Sequence, residues 1–447
     1  MNFDVVKNSL ITEAKNAGLE EYEIFFMEGS GISAETLKDE ISSFSSAVSG
    51  GICFRCIVDG HFGSAATELF TDTEMKELVE RAVENAKNIE CEDKAIIYKG
   101  AKKYCDIKNS PLPDVSAAKL KKVALDLLEK TKTQSEFIAD SSQTYAMCGR
   151  TSTQLINSHG LALSNEVGYL CSGVQSVVEK DGEAQYGLAV EAGISGDAVS
   201  QMPKKATDEA LEKIGAKEIS SGKYDVLFDG KQLRTLLAAF SPVFSGRQAN
   251  LGLSLLKGKE GKKIAADCVT VTDDPMYPES PMQTSFDGEG VATYTKNVIE
   301  GGILKTLLYD LASAQKVDKE STGNGQRGSY SSPVSIAPYH FYINAGDCPE
   351  EDIFEKLGEG IYITELKGLH AGANAVTGDF SIESFGFEVK NGKKGSAIKS
   401  FTVSGNFFEL LKSIETLSDK VDFGLMLEFT VFGAPKAIIR NMSIAGT

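Results

Sequence analysis

Apolar positions recur one helical turn apart in some stretches of the chain and alternate with polar ones, as in strands, in others. Residues 4–18 carry Val5, Val6, Leu10, Ile11 and Ala14 at helical spacing, with Gly18 as the stop. Residues 22–27 and 52–58 read as strands, the second running into Asp59-Gly60, a dipeptide suited to a tight hairpin turn. A helix is predicted over 71–87, with Thr73 placed to cap it and Met75, Leu78, Val79, Ala82 and Val83 as its apolar stripe. Helix, antiparallel sheet, helix is an α+β unit, set at 1–90.

Residues 91–115, with Pro111, Pro113 and many charges, read as a linker. A second α+β unit is predicted at 116–219. Its first helix, 116–133, turns Leu120, Val123, Leu127 and Leu128 inward; a strand-rich stretch follows over 151–192, with turns at Ser158-His159-Gly160 and Asp181-Gly182; a helix over 204–214 closes it.

The third unit, 220–447, is predicted to be larger and mostly antiparallel β with flanking helices. It opens with a strand at 224–228 and a helix over 230–246 that presents Leu233, Leu236, Leu237, Phe240 and Phe244 on one side. Pro242 is predicted to end or kink that helix, because it lacks an amide donor and clashes one turn back. Another helix is expected over 303–317, behind the Glu300-Gly301-Gly302 turn. Strands dominate from 339 onward, apart from helices near 350–357 and 407–414, and the chain ends in an apolar strand pair over 423–439. Residues 369–406 read as a glycine-punctuated meander turning at Asn391-Gly392.

Composition narrows the functional classes. With 42% apolar and 24% charged residues over 447 positions, the chain is an ordinary globular protein rather than a disordered one. Its net charge of −17 opposes direct nucleic-acid binding, which needs a positive footprint to release counterions. The first residues are too polar for an export signal, and no run approaches the ~18 apolar residues of a membrane span. The scattered cysteines are then expected to be reduced and mostly buried, and the compartment to be the cytoplasm.

Several motifs invite chemistry and are set aside on context. Gly323-x-Gly325-x-x-Gly328 spells a dinucleotide-binding pattern but lies in a Ser- and Pro-containing stretch rather than between a strand and a helix. The 258–263 segment lacks the spacing of a phosphate loop. Cys53-x-x-Cys56 has no second ligand pair for zinc, and in a strand the two side chains point to opposite faces. His61, His159, His340 and His370 are isolated in sequence, and only His370 stands in a polar, glycine-rich cluster. Asp379 with Glu383, and Asp287 with Glu289, share strand faces and suit a turn or sheet edge better than a metal.

Seven segments, in order, carry a family resemblance. They are GGICFRCIVDGHFGSAAT (50–67), INSHG (156–160), SFDGEGVAT (285–293), GGILKTLLYDLASAQK (301–316), STGN (321–324), GLHAGANAVTGDFSIESFGFEVKNGK (368–393) and FTVSGNFFELLKSI (401–414). Together they resemble the TldD/PmbA family, long labelled modulators of DNA gyrase, over almost the whole chain. In the TldD branch the resemblance implies a zinc peptidase with H-E-x-x-x-H on a helix and a cysteine far downstream. The matching helix here, around Leu237, Ala238, Ala239, Pro242 and Val243, holds neither histidine nor glutamate, and no cysteine follows Cys348. No metal is therefore expected in this chain.

That pattern resembles the PmbA/TldE branch. The resemblance then implies a non-catalytic subunit, free of cofactor, that pairs with a zinc-carrying TldD-like subunit to form a heterodimeric peptidase acting on unfolded peptides or peptide precursors. It implies a cavity-lining role for His370, Asn374, Thr377, Gly378, Asp379 and Ser381. The alternative is a stand-alone, homodimeric peptide-binding or regulatory protein without proteolysis.

Overall fold

The computed structural model describes residues 3–89, 95–109, 112–425 and 428–446. Expectations that rest on Cys91, Pro111 and the side chain of Val5 lie outside the described residues. The N-terminal half runs α1 (Phe3–Asn16), β1 (Tyr22–Leu37), β2 (Glu40–Val58), β3 (His61–Thr67), α2 (Asp72–Asn88), α3 (Ala117–Lys132), β4 (Gln143–Asn157), β5 (Ala162–Lys180), β6 (Glu183–Ala192) and α4 (Asp197–Glu212). Its strands form one antiparallel six-stranded sheet ordered β3-β2-β1-β4-β5-β6.

Segments 1–90 and 116–219 thus share a sheet, because β1 pairs at length with both β2 and β4. Each segment still lays its own helix pair on it. Under α1 and α2 lie Ile24, Phe26, Ile52 and Phe54; under α3 and α4 lie Ala34, Ala146, Cys148 and Val174. Those β1 positions are even-numbered, so the odd-numbered Phe25 and Met27 face the other way, where they meet Phe286 of the C-terminal half.

The C-terminal half runs β7 (Gly222–Phe228), α5 (Gly230–Phe240), a 3₁₀ turn (Ser241–Phe244), α6 (Gly246–Asn250), β8 (Val271–Asp274), β9 (Lys296–Glu300), β10 (Ile303–Leu304), α7 (Leu311–Gln315), β11 (Gly325–Gln326), β12 (Ser335–Ile336) and β13 (His340–Ile343). It continues through α8 (Ile353–Leu357), β14 (Gly360–Lys367), α9 (Leu369–Gly372), β15 (Asp379–Lys390), β16 (Lys393–Asn406), α10 (Phe407–Ser413), β17 (Ile414–Phe423) and β18 (Val431–Ala445). The pairings β18-β16-β15-β14-β7 close into a ring, since β7 also pairs with β18. Closure spares these strands an exposed edge. The main core packs Phe228, Leu233, Leu236, Leu237 and Phe240 against Phe341, Phe380, Val403, Phe407 and Ile439.

The α+β class stands, and many boundaries follow local chemistry. Ser116 caps α3 through Lys119 N–H, and Asn406 caps α10 through Phe408 and Glu409 N–H. Asn391 and Gly392, at φ 49° and 69°, make the left-handed turn between β15 and β16. Pro242 ends α5 as expected, by tightening the chain into the 3₁₀ turn.

Other expectations are corrected. Thr71, not Thr73, caps α2, its hydroxyl accepting from Glu74 N–H. The helix expected over 303–317 shrinks to α7. Gly301 and Gly302, both at positive φ, turn 303–304 back as a strand, and Asp310 with Ser313 forms a capping box that starts the helix late. Strands β1 and β2 run on through 28–51, where Ser, Gly and Ala give no alternation to read, yet the ladder continues to Leu37↔Glu40. Helix α4 begins at Asp197 and contains Pro203, which hid its first turns. The closing strands are 414–423 and 431–445, not a pair within 423–439.

Candidate functional site

Helix α5 occupies the place where the resemblance puts a zinc helix, and its side chains are spent on the core. Leu236, Leu237, Phe240, Val243 and Phe244 are each at most 1% exposed. Phe240 stacks on Phe407 at 4.6 Å and meets Phe380 at 6.3 Å. Ala238 and Ala239 are partly buried and Pro242 is exposed. A catalytic zinc needs about three nitrogen, sulfur or carboxylate ligands around an open position. Between 236 and 244 the only polar side chain is the Ser241 hydroxyl, so the residues present do not fit the metal.

The six residues expected to line a cavity cluster around the loop between α9 and β15. Asn374 Oδ1 accepts from Val376 N–H at 2.9 Å and Thr377 N–H at 3.2 Å, and Gly378 N–H donates to the Asn374 carbonyl at 2.8 Å. Asn406 Nδ2 donates to Asp379 Oδ1 at 2.9 Å and to the Thr377 carbonyl at 2.9 Å, and hydrogen bonds from the Asn406 and Thr377 side chains lower the Asp379 carboxyl below its ordinary range. A side chain at Gly378 would run into the Phe408 ring at 2.7 Å. Ser381 accepts from Ser404 Oγ at 3.1 Å. His370 stands exposed on α9. The loop's polar groups therefore hold the loop itself, and its apolar residues Leu369, Ala373 and Ala375 pack on the core beside α5. Asp379 and Glu383 take separate partners on β16, Asn406 and Ser400.

None of those six residues lines a cleft of about 1100 Å³ between the two halves. One wall is the N-terminal sheet, where Tyr145 and Tyr169 lie opposite Gly173 and Gly149 on the neighbouring strand. Cβ atoms on those glycines would sit 2.4 and 2.6 Å from the rings, so the missing side chains let both tyrosines lie flat. Burial pushes the Tyr145 phenol up to about 12 and raises that of Tyr169, which keeps both as neutral hydroxyls. The opposite wall is the outward face of α5, with Lys231 and Arg234, backed by Asp422, Phe423 and Glu279. Arg234 pairs with Asp422 at 2.8 Å and Lys205 with Glu191 at 3.1 Å.

Strand β6, the last of its sheet, runs along this cleft with Leu188, Val190 and Glu191. Alternate residues of an edge strand turn their amide and carbonyl outward. Two such groups are capped: Glu209 accepts from Leu188 N–H at 3.2 Å, and Lys213 Nζ donates to the Tyr186 carbonyl at 2.8 Å. The β5–β6 register is unbroken, so Val190 also faces outward, into the cleft. Sequence reading missed this site, since its parts come from positions 113 to 425.

The remaining candidates are structural. Cys53 and Cys56 are buried on opposite faces of β2, Cys53 beside Phe25 and Phe286 and Cys56 under α1 and α2. His340 is fully buried and stacks on Tyr277 at 5.5 Å, and both of its ring nitrogens lack a hydrogen-bond partner. His159 contacts Glu21 at 3.4 Å beside the β4–β5 turn. The Gly323–Gly328 segment is a loop containing β11, not a nucleotide turn. Among the described residues no helix is long and apolar enough to cross a membrane.

Comparison with known proteins agrees with this architecture. Residues 221–446 match the model of the PmbA/TldA metallopeptidase C-terminal domain, and residues 22–86 that of domain 1 of the same family. A metalloprotease of Methanocaldococcus jannaschii is 26% identical over 88% of this chain and 88% of its own length. The crystal structure of a proposed modulator of a DNA gyrase from Thermotoga maritima superposes with a TM-score of 0.90 at 26% identity, covering 99% of this chain and all of that one. That of TldE from Thermococcus kodakarensis gives a TM-score of 0.89 at 24% identity, over 98% and 99% of the two chains, and shares the fold. With the C-terminal match alone spanning more than half its length, this chain belongs to the PmbA/TldD metallopeptidase family.

Proposed function

We propose that this chain is the TldE-like, non-catalytic subunit of a heterodimeric peptidase, holding unfolded peptides or peptide precursors for a zinc-carrying TldD-like partner. One observation carries the reading: Leu237, Phe240 and Val243 on α5 and its 3₁₀ turn fill the core where the catalytic helix would present ligands. The cleft beside α5 supports the substrate class. Its flat tyrosines and outward Val190 backbone suit an extended chain recognised by main-chain pairing rather than by side-chain identity. The cytoplasm, with its reducing conditions, suits a chain with free cysteines.

Pull-down from native lysate, followed by zinc analysis and a peptidase assay, tests this. The expected companion is a zinc-bearing chain of similar length, with activity only in the pair. The cleft is assembled within one chain, which favours the alternative of a stand-alone peptide-binding or regulatory homodimer if no companion is recovered.

A further inference from the structure

The two halves meet over a buried group of charges drawn from both. Glu23 of β1, 1% exposed, takes Arg55 of β2 at 3.0 Å and Arg327 of the C-terminal half on the same oxygen, Oε1. Its other oxygen, Oε2, is buried without a partner, as is Arg327 Nε. Arg327 lies over the Phe25 ring at 4.3 Å, which fixes it against the N-terminal sheet.

Beside them sit Asp287 and Glu289, 3% and 5% exposed. Asp287 accepts from Glu289 and Val291 N–H on Oδ1 and from Gly325 N–H on Oδ2, all within 3.0 Å. Glu289 Oε2 accepts from Leu311 N–H at 2.9 Å. The two carboxyls flank the α-carbon of Gly325, where a Cβ would lie 2.7 Å from Glu289 Oε2 and 3.2 Å from Asp287 Oδ2. Two like charges so placed in a dry site cannot both ionise cheaply.

Arg55 offsets only part of the rise at Glu289, and the other surrounding charges are engaged elsewhere. Asp310 is taken by Arg247, and Asp273 by Lys296. Tyr98, Tyr104 and Tyr339 face Asp287 as neutral phenols, raised by burial, and Glu320 faces Tyr98. Cys53, also raised by burial, stays a neutral thiol. That leaves the guanidinium groups of Arg55 and Arg327 against the carboxyls of Glu23, Asp287 and Glu289, a set that one retained proton makes neutral.

We propose that the Asp287–Glu289 pair is a one-proton latch: the halves dock with the pair singly protonated, and loss of that proton loosens the seam. The proposal is independent of the peptidase reading. Burial and the neighbouring carboxylate push Asp287 up to about 8, and burial raises Glu289. An acid raised on folding binds its proton in the folded chain after the unfolded chain has released it. Stability therefore falls as pH rises from the ordinary carboxylate range to about 8 and levels off above it.

The test uses the full chain. Infrared spectroscopy should show a protonated-carboxyl band at neutral pH that vanishes above about pH 8. The band should be lost in Glu289→Gln and kept in Asp422→Asn, which removes another carboxyl raised by burial. Hydrogen exchange, corrected for its intrinsic pH dependence, should accelerate in segments 20–28 and 321–328 as the band disappears. If the Gln variant does not fold, the wild-type band and exchange still decide. A missing band at neutral pH, a band that survives in Glu289→Gln, or unchanged exchange at the seam would each overturn the latch.

Discussion

The ring of Phe240 lies on that of Phe407, centroids 4.6 Å apart and planes 12° from parallel. The contact ties the last residue of α5 to the first of α10, at the position where a catalytic family member would display its metal ligands. It makes the end of α5 a packing element. Phe240→Ala should cost about 3–5 kcal/mol, the usual loss for an aromatic deleted from a tight core. Urea unfolding would show it as a lower midpoint with an unchanged slope.

Gly325 sits where a methyl group would meet two buried carboxyl groups, those of Asp287 and Glu289. Gly325→Ala should destabilise by about 1–3 kcal/mol, because the flanking carboxyls must move. Gly29 is the control: its added Cβ would meet only the Arg150 carbonyl, at 3.9 Å. Gly29→Ala should change stability by less than about 1 kcal/mol and raise rather than lower it. Paired thermal melts separate the two, and equal losses would refute the packing argument.

His340 is buried, with both ring nitrogens unpartnered, and burial lowers its pKa below the ordinary imidazole value. The folded chain therefore keeps it neutral while the unfolded chain protonates. The resulting stability is present above about pH 6.5 and is lost as pH falls through that value. His340→Phe keeps the stack on Tyr277 and should lose less stability between about pH 6.5 and 5 than the wild type. Parallel acid limbs for the two proteins would contradict this.

Val190 turns its backbone outward on the last strand of the N-terminal sheet. Proline is tolerated where an edge amide faces away from the ladder. Val190→Pro should therefore fold normally by circular dichroism, yet weaken peptide binding by the assembled complex about threefold to tenfold, the worth of one hydrogen bond. Unchanged affinity would take the β6 edge out of substrate recognition.

What the sequence made legible was local. Ser116, Asn391-Gly392 and Pro242 act through neighbours a few residues away, and the chain obeys them. The 28–51 hairpin stayed hidden because its Ser, Gly and Ala residues owe their strand conformation to the pairing of β1 with β2 and with β4, not to any periodicity of their own. The cleft and the seam were hidden for a different reason. Glu23 and Arg327 are 304 positions apart and join only once the sheet docks on the C-terminal half. The 369–406 stretch overlaps two of the segments that carry the family resemblance, yet Asn374, Asp379 and Asn406 in it shape their own loop. Asp287 and Glu289, read as turn residues, are buried instead at the seam.

The most direct test of the central claim is a peptide-hydrolysis assay with metal analysis, run on the purified chain alone and after mixing with a TldD-like subunit that carries H-E-x-x-x-H. The account predicts no stoichiometric zinc and no hydrolysis from this chain by itself, with chelator-sensitive cleavage appearing in the mixture. Chelator-sensitive cleavage of unfolded peptides by this chain alone would contradict it.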